Sequence, residues 1–114
     1  MPYLNIKTNH ALAPNTAQAL LKKASARIAE ALSKPERYVL TELSLNPQML
    51  FSGTDEPCAY IELKSIDLPE SQTRDLSHAI CSLLETDIGI PADRVYIEFT
   101  NVPRKFWGWN ASTF

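Results

Sequence analysis

The chain has 114 residues, 45% of them hydrophobic and 21% charged, with a net charge of −2. That suffices for one domain with one core, residues 1–114, and it gives no electrostatic reason to expect nucleic acid or an anionic membrane as partner. No apolar run is long enough to span a bilayer and the start lacks a signal-peptide core, so a cytoplasmic protein is expected.

Tyr3 to Lys7 alternates as a first strand, with Leu4 and Ile6 on one side and Tyr3, Asn5 and Lys7 on the other. A small second residue lets the initiator methionine be removed. Pro2 would then carry a free secondary amine, and α-amino groups titrate near pKa ~8. At the start of a strand it is a candidate general base, although on this fragment alone Met-Pro reads first as an ordinary start with no role. A first helix is expected up to Leu32, opened by a capping box at Asn15 and Gln18 and buried through Leu20, Leu21, Ala24, Ile28, Ala31 and Leu32. Pro35 ends it. Tyr38 to Leu45 reads as a second strand, Met49-Leu50-Phe51 as a short apolar segment before a turn, and Cys58 to Ile66 as a third strand. Asp67 and Glu70 offer caps for a second helix buried through Leu76, Ile80, Leu83, Leu84 and Ile88, which Gly89 and Pro91 end. Val95 to Thr100 is a fourth strand, and a tail runs to Phe114. Cys58 and Cys81 have no metal-ligand spacing with His10 or His78 and read as small buried residues, the histidines as solvated ones.

The two halves, about 1–57 and 58–114, repeat. Tyr3 to Lys7 matches Tyr60 to Lys64; Leu20, Ala24, Ile28 and Leu32 match Leu76, Ile80, Leu84 and Ile88; Pro35, Val39 and Glu42 match Pro91, Val95 and Glu98. The expected fold is α+β: two βαβ repeats forming a four-stranded core sheet, split-βαβ-like, with two helices on one face. The helix-covered face collects Leu4, Ile6, Val39, Leu43, Ala59, Ile61, Leu63, Val95, Ile97 and Phe99. The other collects all four tyrosines, which suit a wet subunit interface. Phe106, Trp107, Trp109 and Phe114 crowd the tail, as a pocket wall or a docking surface.

Pro2, Thr8-Asn9, Lys34-Pro35, Glu56-Pro57-Cys58-Ala59, Ser65-Ile66, Pro91-Ala92-Asp93-Arg94-Val95-Tyr96-Ile97 and Gly108-Trp109-Asn110-Ala111-Ser112-Thr113-Phe114 span the chain in order. Together they resemble the macrophage migration inhibitory factor family, including D-dopachrome tautomerase, in the tautomerase superfamily; the last two segments are the specific ones. The resemblance implies a homotrimer whose three sheets surround a channel, and keto–enol tautomerisation of a small aromatic α-keto acid such as phenylpyruvate, with no metal or organic cofactor. Carried over by position, it makes Pro2 the base and then the acid, and gives the substrate to Lys34, Ser65, the N–H of Ile66, and Tyr96 from the adjacent subunit, with Glu98 nearby. Tyr3, Tyr38, Lys64, Trp107, Trp109 and Phe114 would wall the pocket. Burial and a neighbouring lysine both disfavour an ammonium, which would bring the Pro2 amine towards neutrality, where a base that must return its proton works best.

This chain departs from the family in several places. The cytokine's CxxC becomes Cys58-Ala59-Tyr60-Ile61; His10 to Ala13 and Asn46 lack the charges used in receptor recognition; Trp107 and Tyr3 replace smaller residues; Glu98 replaces an asparagine. Glu98 either faces the pocket, opposing Lys34, or, being repeated as Glu42, belongs to the sheet or the subunit interface, paired with Lys7 or Lys64 across strands. The competing functions are a secreted cytokine mimic engaging a host receptor, and a non-catalytic ferredoxin-like oligomeric binding module.

Overall fold

The computed structural model describes Met1–Phe114. Strand β1 (Tyr3–Thr8) leads into helix α1 (Pro14–Leu32) and strand β2 (Leu40–Leu45). Strand β3 (Ala59–Ser65), helix α2 (Thr73–Ile88) and strand β4 (Val95–Asn101) repeat that order, and the tail folds as a hairpin of β5 (Gly108–Trp109) and β6 (Ser112–Thr113). The sheet order is β2-β1-β3-β4. β1 is parallel to β2, β3 is parallel to β4, and β1 and β3 meet antiparallel in the middle. Each βαβ unit therefore joins neighbouring strands and is not split; the halves are related across the β1/β3 seam. The expected α+β architecture with four core strands and two helices is otherwise observed.

The core explains the face assignment. Leu4 and Ile6 from β1 and Ala59, Ile61 and Leu63 from β3 are buried in one cluster with Leu20, Ala24, Ile28 and Leu32 of α1 and Leu76, Ile80, Leu83, Leu84 and Ile88 of α2. Val39, Leu43, Val95, Ile97 and Phe99 pack against its edge. On α1 the buried stripe includes Ala29, whereas Ala31 is exposed and Leu21 half-buried. Cys58 is buried, but Cys81 is partly exposed on α2, and burial pushes its thiol up from the usual range.

The helix starts differ from expectation. Neither Asn15 nor Asp67 nor Glu70 caps a helix: α1 opens on Ala13 with Pro14 in its first turn, and α2 opens on Gln72, neither with a side-chain cap. Proline performs that role instead, by presetting φ. Pro35, Pro69, Pro91 and Pro103 each precede a single 3₁₀ turn: Glu36–Tyr38, Glu70–Gln72, Ala92–Arg94 and Arg104–Phe106. Tyr38 thus lies in a turn and not in β2. Both helices end alike. Ser33 (φ 53°) and Gly89 (φ 71°) are left-handed, and the next residue reaches back, Lys34 N–H to Ala29 O at 2.9 Å and Ile90 N–H to Leu84 O at 3.4 Å.

Candidate active site

The site is built on the free end of β1. Pro2 is fully buried, and its carbonyl accepts a hydrogen bond from Leu40 N–H at 3.0 Å, so this residue faces β2. Polar groups alternate sides along a strand. Tyr3 accordingly faces β3, opposite Lys64. Ile66 lies two residues beyond Lys64 and aims its N–H the same way, at the line of β1 just past Tyr3. That N–H donates to no acceptor in the chain, although Ile66 is only 1% exposed. An unmet buried donor is costly, and here it points to the space beside Pro2. Ser65, fully buried, donates its hydroxyl to Ile66 O at 3.0 Å, fixing the peptide on the other side.

Lys34 enters from α1. The left-handed turn at Ser33 lifts it off the helix axis, and Pro35 then directs the chain towards β2. It arrives next to the chain start. The α-amine of Met1 is held below its ordinary value of 8.0, first by burial and second by the positive charge of Lys34. Both causes disfavour the ammonium. In the second half the equivalent positions are Ala59 and Ile90, both buried and neither titratable.

Three aromatic rings stand together on one side. Tyr38 meets Trp109 edge-on at 5.3 Å and Phe114 at 5.9 Å, while Trp109 and Phe114 stack at 5.5 Å. The terminal hairpin supplies two of them. It turns through Asn110 (φ 52°) and Ala111 (φ 61°), and Phe114 N–H donates to Trp107 O at 3.2 Å. Trp107 is half-buried at the base of the hairpin. The sequence left this tail without structure; its Asn-Ala pair at the turn was the available signal.

Four expected site residues are engaged elsewhere within the chain. Lys64 pairs with Glu62 at 3.7 Å, as does Lys7. Tyr3 donates its hydroxyl to Glu42, and that bond, with burial and the charges of Glu42 and Glu62, pushes its pKa up to about 12. Glu98 accepts a hydrogen bond from the Tyr60 hydroxyl at 3.1 Å; it pairs with neither Lys7 nor Lys64. Tyr96 is 66% exposed and packs against Phe51 at 4.8 Å. It lies opposite Tyr60, five residues along β3 from Ser65, which is about 16 Å at strand rise. Tyr96 and Pro2 of one chain therefore sit at opposite ends of the sheet.

Two further organising residues carry no local signal of their role in the sequence. Asn9 donates to the carbonyls of Met49, Asp55 and Glu56 and accepts from Cys58 N–H. Arg94 donates to the carbonyls of Phe51, Thr54, Glu56 and Pro57 and lies over the Phe51 ring at 5.2 Å. Together they fold the 49–58 loop, which with Tyr60 and Tyr96 lines a mostly apolar hollow of about 250 Å³. No group of three or more His, Cys, Asp or Glu side chains is placed to hold a metal ion.

The family profile described as macrophage migration inhibitory factor (MIF) matches residues 1–114. A macrophage migration inhibitory factor homolog from Brugia malayi is 40% identical over 117 residues, covering 100% of this chain and 99% of the relative. The Mus musculus macrophage migration inhibitory factor is 35% identical over 115 residues, with the same coverage. Among solved structures, a homologue from Prochlorococcus marinus superposes with a TM-score of 0.92 at 45% identity, covering 98% of each chain. The Toxoplasma gondii protein gives 0.92 at 34% identity, over 98% of this chain and 99% of that one. With a match along its whole length and the same fold, the chain belongs to the macrophage migration inhibitory factor family.

Proposed function

We propose that this chain is a keto–enol tautomerase for phenylpyruvate-like α-keto acids, with Pro2 as its base and acid once Met1 is removed. The observation that carries the reading is the meeting of the chain-terminal amine, held below its ordinary pKa, with Lys34 beside a buried Pro2. In this reading removal of Met1 uncovers the proline nitrogen in the same surroundings. The free amine takes a proton from the carbon next to the keto group. The electron pair moves onto the keto oxygen as an enolate, and the proline ammonium returns the proton to that oxygen. Lys34 pairs with the substrate carboxylate. The Ile66 N–H, beside Ser65, takes a substrate oxygen, and Tyr38, Trp109, Phe114 and Trp107 wall the aromatic end.

The reading includes a homotrimer. One chain leaves Leu40, Leu50, Tyr96 and Phe106 exposed, at 61%, 71%, 66% and 82%. It also leaves Tyr96 too far along the sheet to share a ligand with Pro2 of the same chain. A neighbouring copy would cover the apolar residues and bring its own Tyr96 to the pocket. Light scattering at micromolar concentration checks the assembly, and a monomer there contradicts it.

The direct test compares mature protein with a form carrying one residue before Pro2. General-base catalysis predicts a fall in kcat/KM for phenylpyruvate of about 10²–10⁴ on extension. Equal turnover by both forms rules the mechanism out.

A further inference from the structure

We infer that Asn101 is a positioning residue for the tautomerase reaction, acting through the main chain to keep the Ile66 N–H aimed at the substrate; the inference rests on the function proposed above. The chain leaves β3 at Ser65 and must turn sharply while Ile66 stays in line with the β1/β3 ladder. Asp67 makes the turn possible by adopting a left-handed conformation, φ 54°, which aspartate tolerates better than most L-residues but which is held more firmly when its surroundings enforce it. The enforcement comes from the end of β4. Asn101 stands opposite Ser65, and its side-chain oxygen accepts the Leu68 N–H at 3.1 Å. The next residue, Val102, donates its N–H to Ser65 O at 2.9 Å. Both ends of the Ser65–Leu68 turn are thus tied to one dipeptide, while Ser65, Ile66 and Leu68 are buried between.

Asn101 is the replaceable part of this clasp. The Val102 bond is main chain and survives substitution. Arg104 also reaches Asp67, at 3.0 Å, but that ion pair is open to water on both sides and contributes little. Without the Asn101 oxygen the Leu68 N–H is buried and unmet, and the strained Asp67 can relax by rotating the peptides on either side. The first of them carries the Ile66 carbonyl; the Ile66 N–H lies in the preceding Ser65–Ile66 peptide, joined to it at the Ile66 α-carbon, so with only the Val102 bond left on that peptide its aim shifts as the turn relaxes. Asn101 touches neither Pro2 nor Lys34 in any hydrogen bond or ion pair of the chain.

The experiment compares Asn101→Leu and Asn101→Ala, which lack the acceptor, with Asn101→Asp, which retains one. It uses mature full-length protein, phenylpyruvate turnover across pH, and the amide resonance of Ile66. The expected result is a loss of about 10- to 100-fold in kcat/KM for the Leu and Ala variants, with the pH of the acidic limb unchanged, and recovery to near wild type in the Asp variant. The Ile66 amide resonance should move in the Leu and Ala variants and stay in the Asp variant. Wild-type kcat/KM in both acceptor-free variants overturns the inference, and so does a loss that shifts the acidic limb, since it would then run through Pro2. If the wild-type protein does not turn over phenylpyruvate, the tautomerase reading fails, and an Ile66 resonance indifferent to residue 101 separately refutes the clasp.

Discussion

The Tyr60 hydroxyl donates to the Glu98 carboxylate at 3.1 Å, and Tyr3 reaches Glu42 in the same way one repeat earlier. In each half a tyrosine on the first strand meets a glutamate on the second, two residues past its own register partner. The duplication makes Glu98 part of the sheet's polar face. Glu98→Gln keeps an acceptor for Tyr60 and removes the charge. Its acidic limb for phenylpyruvate should match wild type, with kcat/KM within about twofold. A limb displaced to lower pH would mean that the carboxylate raises the pKa of the Pro2 amine and faces the pocket of a neighbour.

Lys34 acts on two quantities that can be read apart. Its charge lowers the chain-terminal amine, so its removal should raise that pKa and move the acidic limb of kcat/KM to higher pH. If it also binds the substrate carboxylate as proposed, Lys34→Gln should raise KM by about 10- to 100-fold, the range for a hydrogen bond between charged groups. A raised KM with an unmoved limb would show that Lys34 binds substrate without tuning the base.

The matched helix ends offer a stability test with an internal control. Ser33 adopts the left-handed conformation that Gly89 adopts at the end of α2. A side chain there costs about 1 kcal/mol, so Ser33→Gly should raise Tm by a few degrees and Gly89→Ser should lower it comparably. Calorimetry at fixed protein concentration checks both. No gain for Ser33→Gly would mean that the serine is compensated by contacts of its own.

Tyr3 predicts an alkaline instability. Its pKa in the fold, about 12, lies above the ordinary value of 10.0. The folded state therefore favours the protonated phenol. That contribution is complete below pH 10 and is lost as pH rises towards 12. Tyr3→Phe should flatten the decline of Tm over this window while leaving the neutral-pH slope unchanged. An identical alkaline decline in the variant would place its origin elsewhere.

Much of the fold was legible because periodicity reports burial. Leu76, Ile80, Leu83, Leu84 and Ile88 recur as one helical stripe, and all five are buried. What escaped were contacts that join residues far apart in the chain. Asn9 and Arg94 gather carbonyls some forty residues away, and nothing local in either position announces a clamp. Asn15 and Asp67 fit the usual cap chemistry, while proline and left-handed turns supply the geometry instead. The site was legible only in part. Pro2, Lys34, Ser65 and Ile66 lie at one end of the sheet, but Tyr96 lies near the other end and Glu98 midway along β4, level with Asn5 of β1.

A doubled fold has two places where a strand begins but only one where a chain begins. Pro2 and Lys34 stand at the first; Ala59 and Ile90 fill the second with hydrocarbon. Occupancy by a substrate analogue should therefore saturate at one molecule per polypeptide, however symmetric the scaffold. A circular permutant opened between Cys58 and Ala59, with the old termini joined by a linker, would keep the sheet and both helices. It would lock the proline nitrogen into an internal amide, separating the architecture from its chemistry without changing a single side chain.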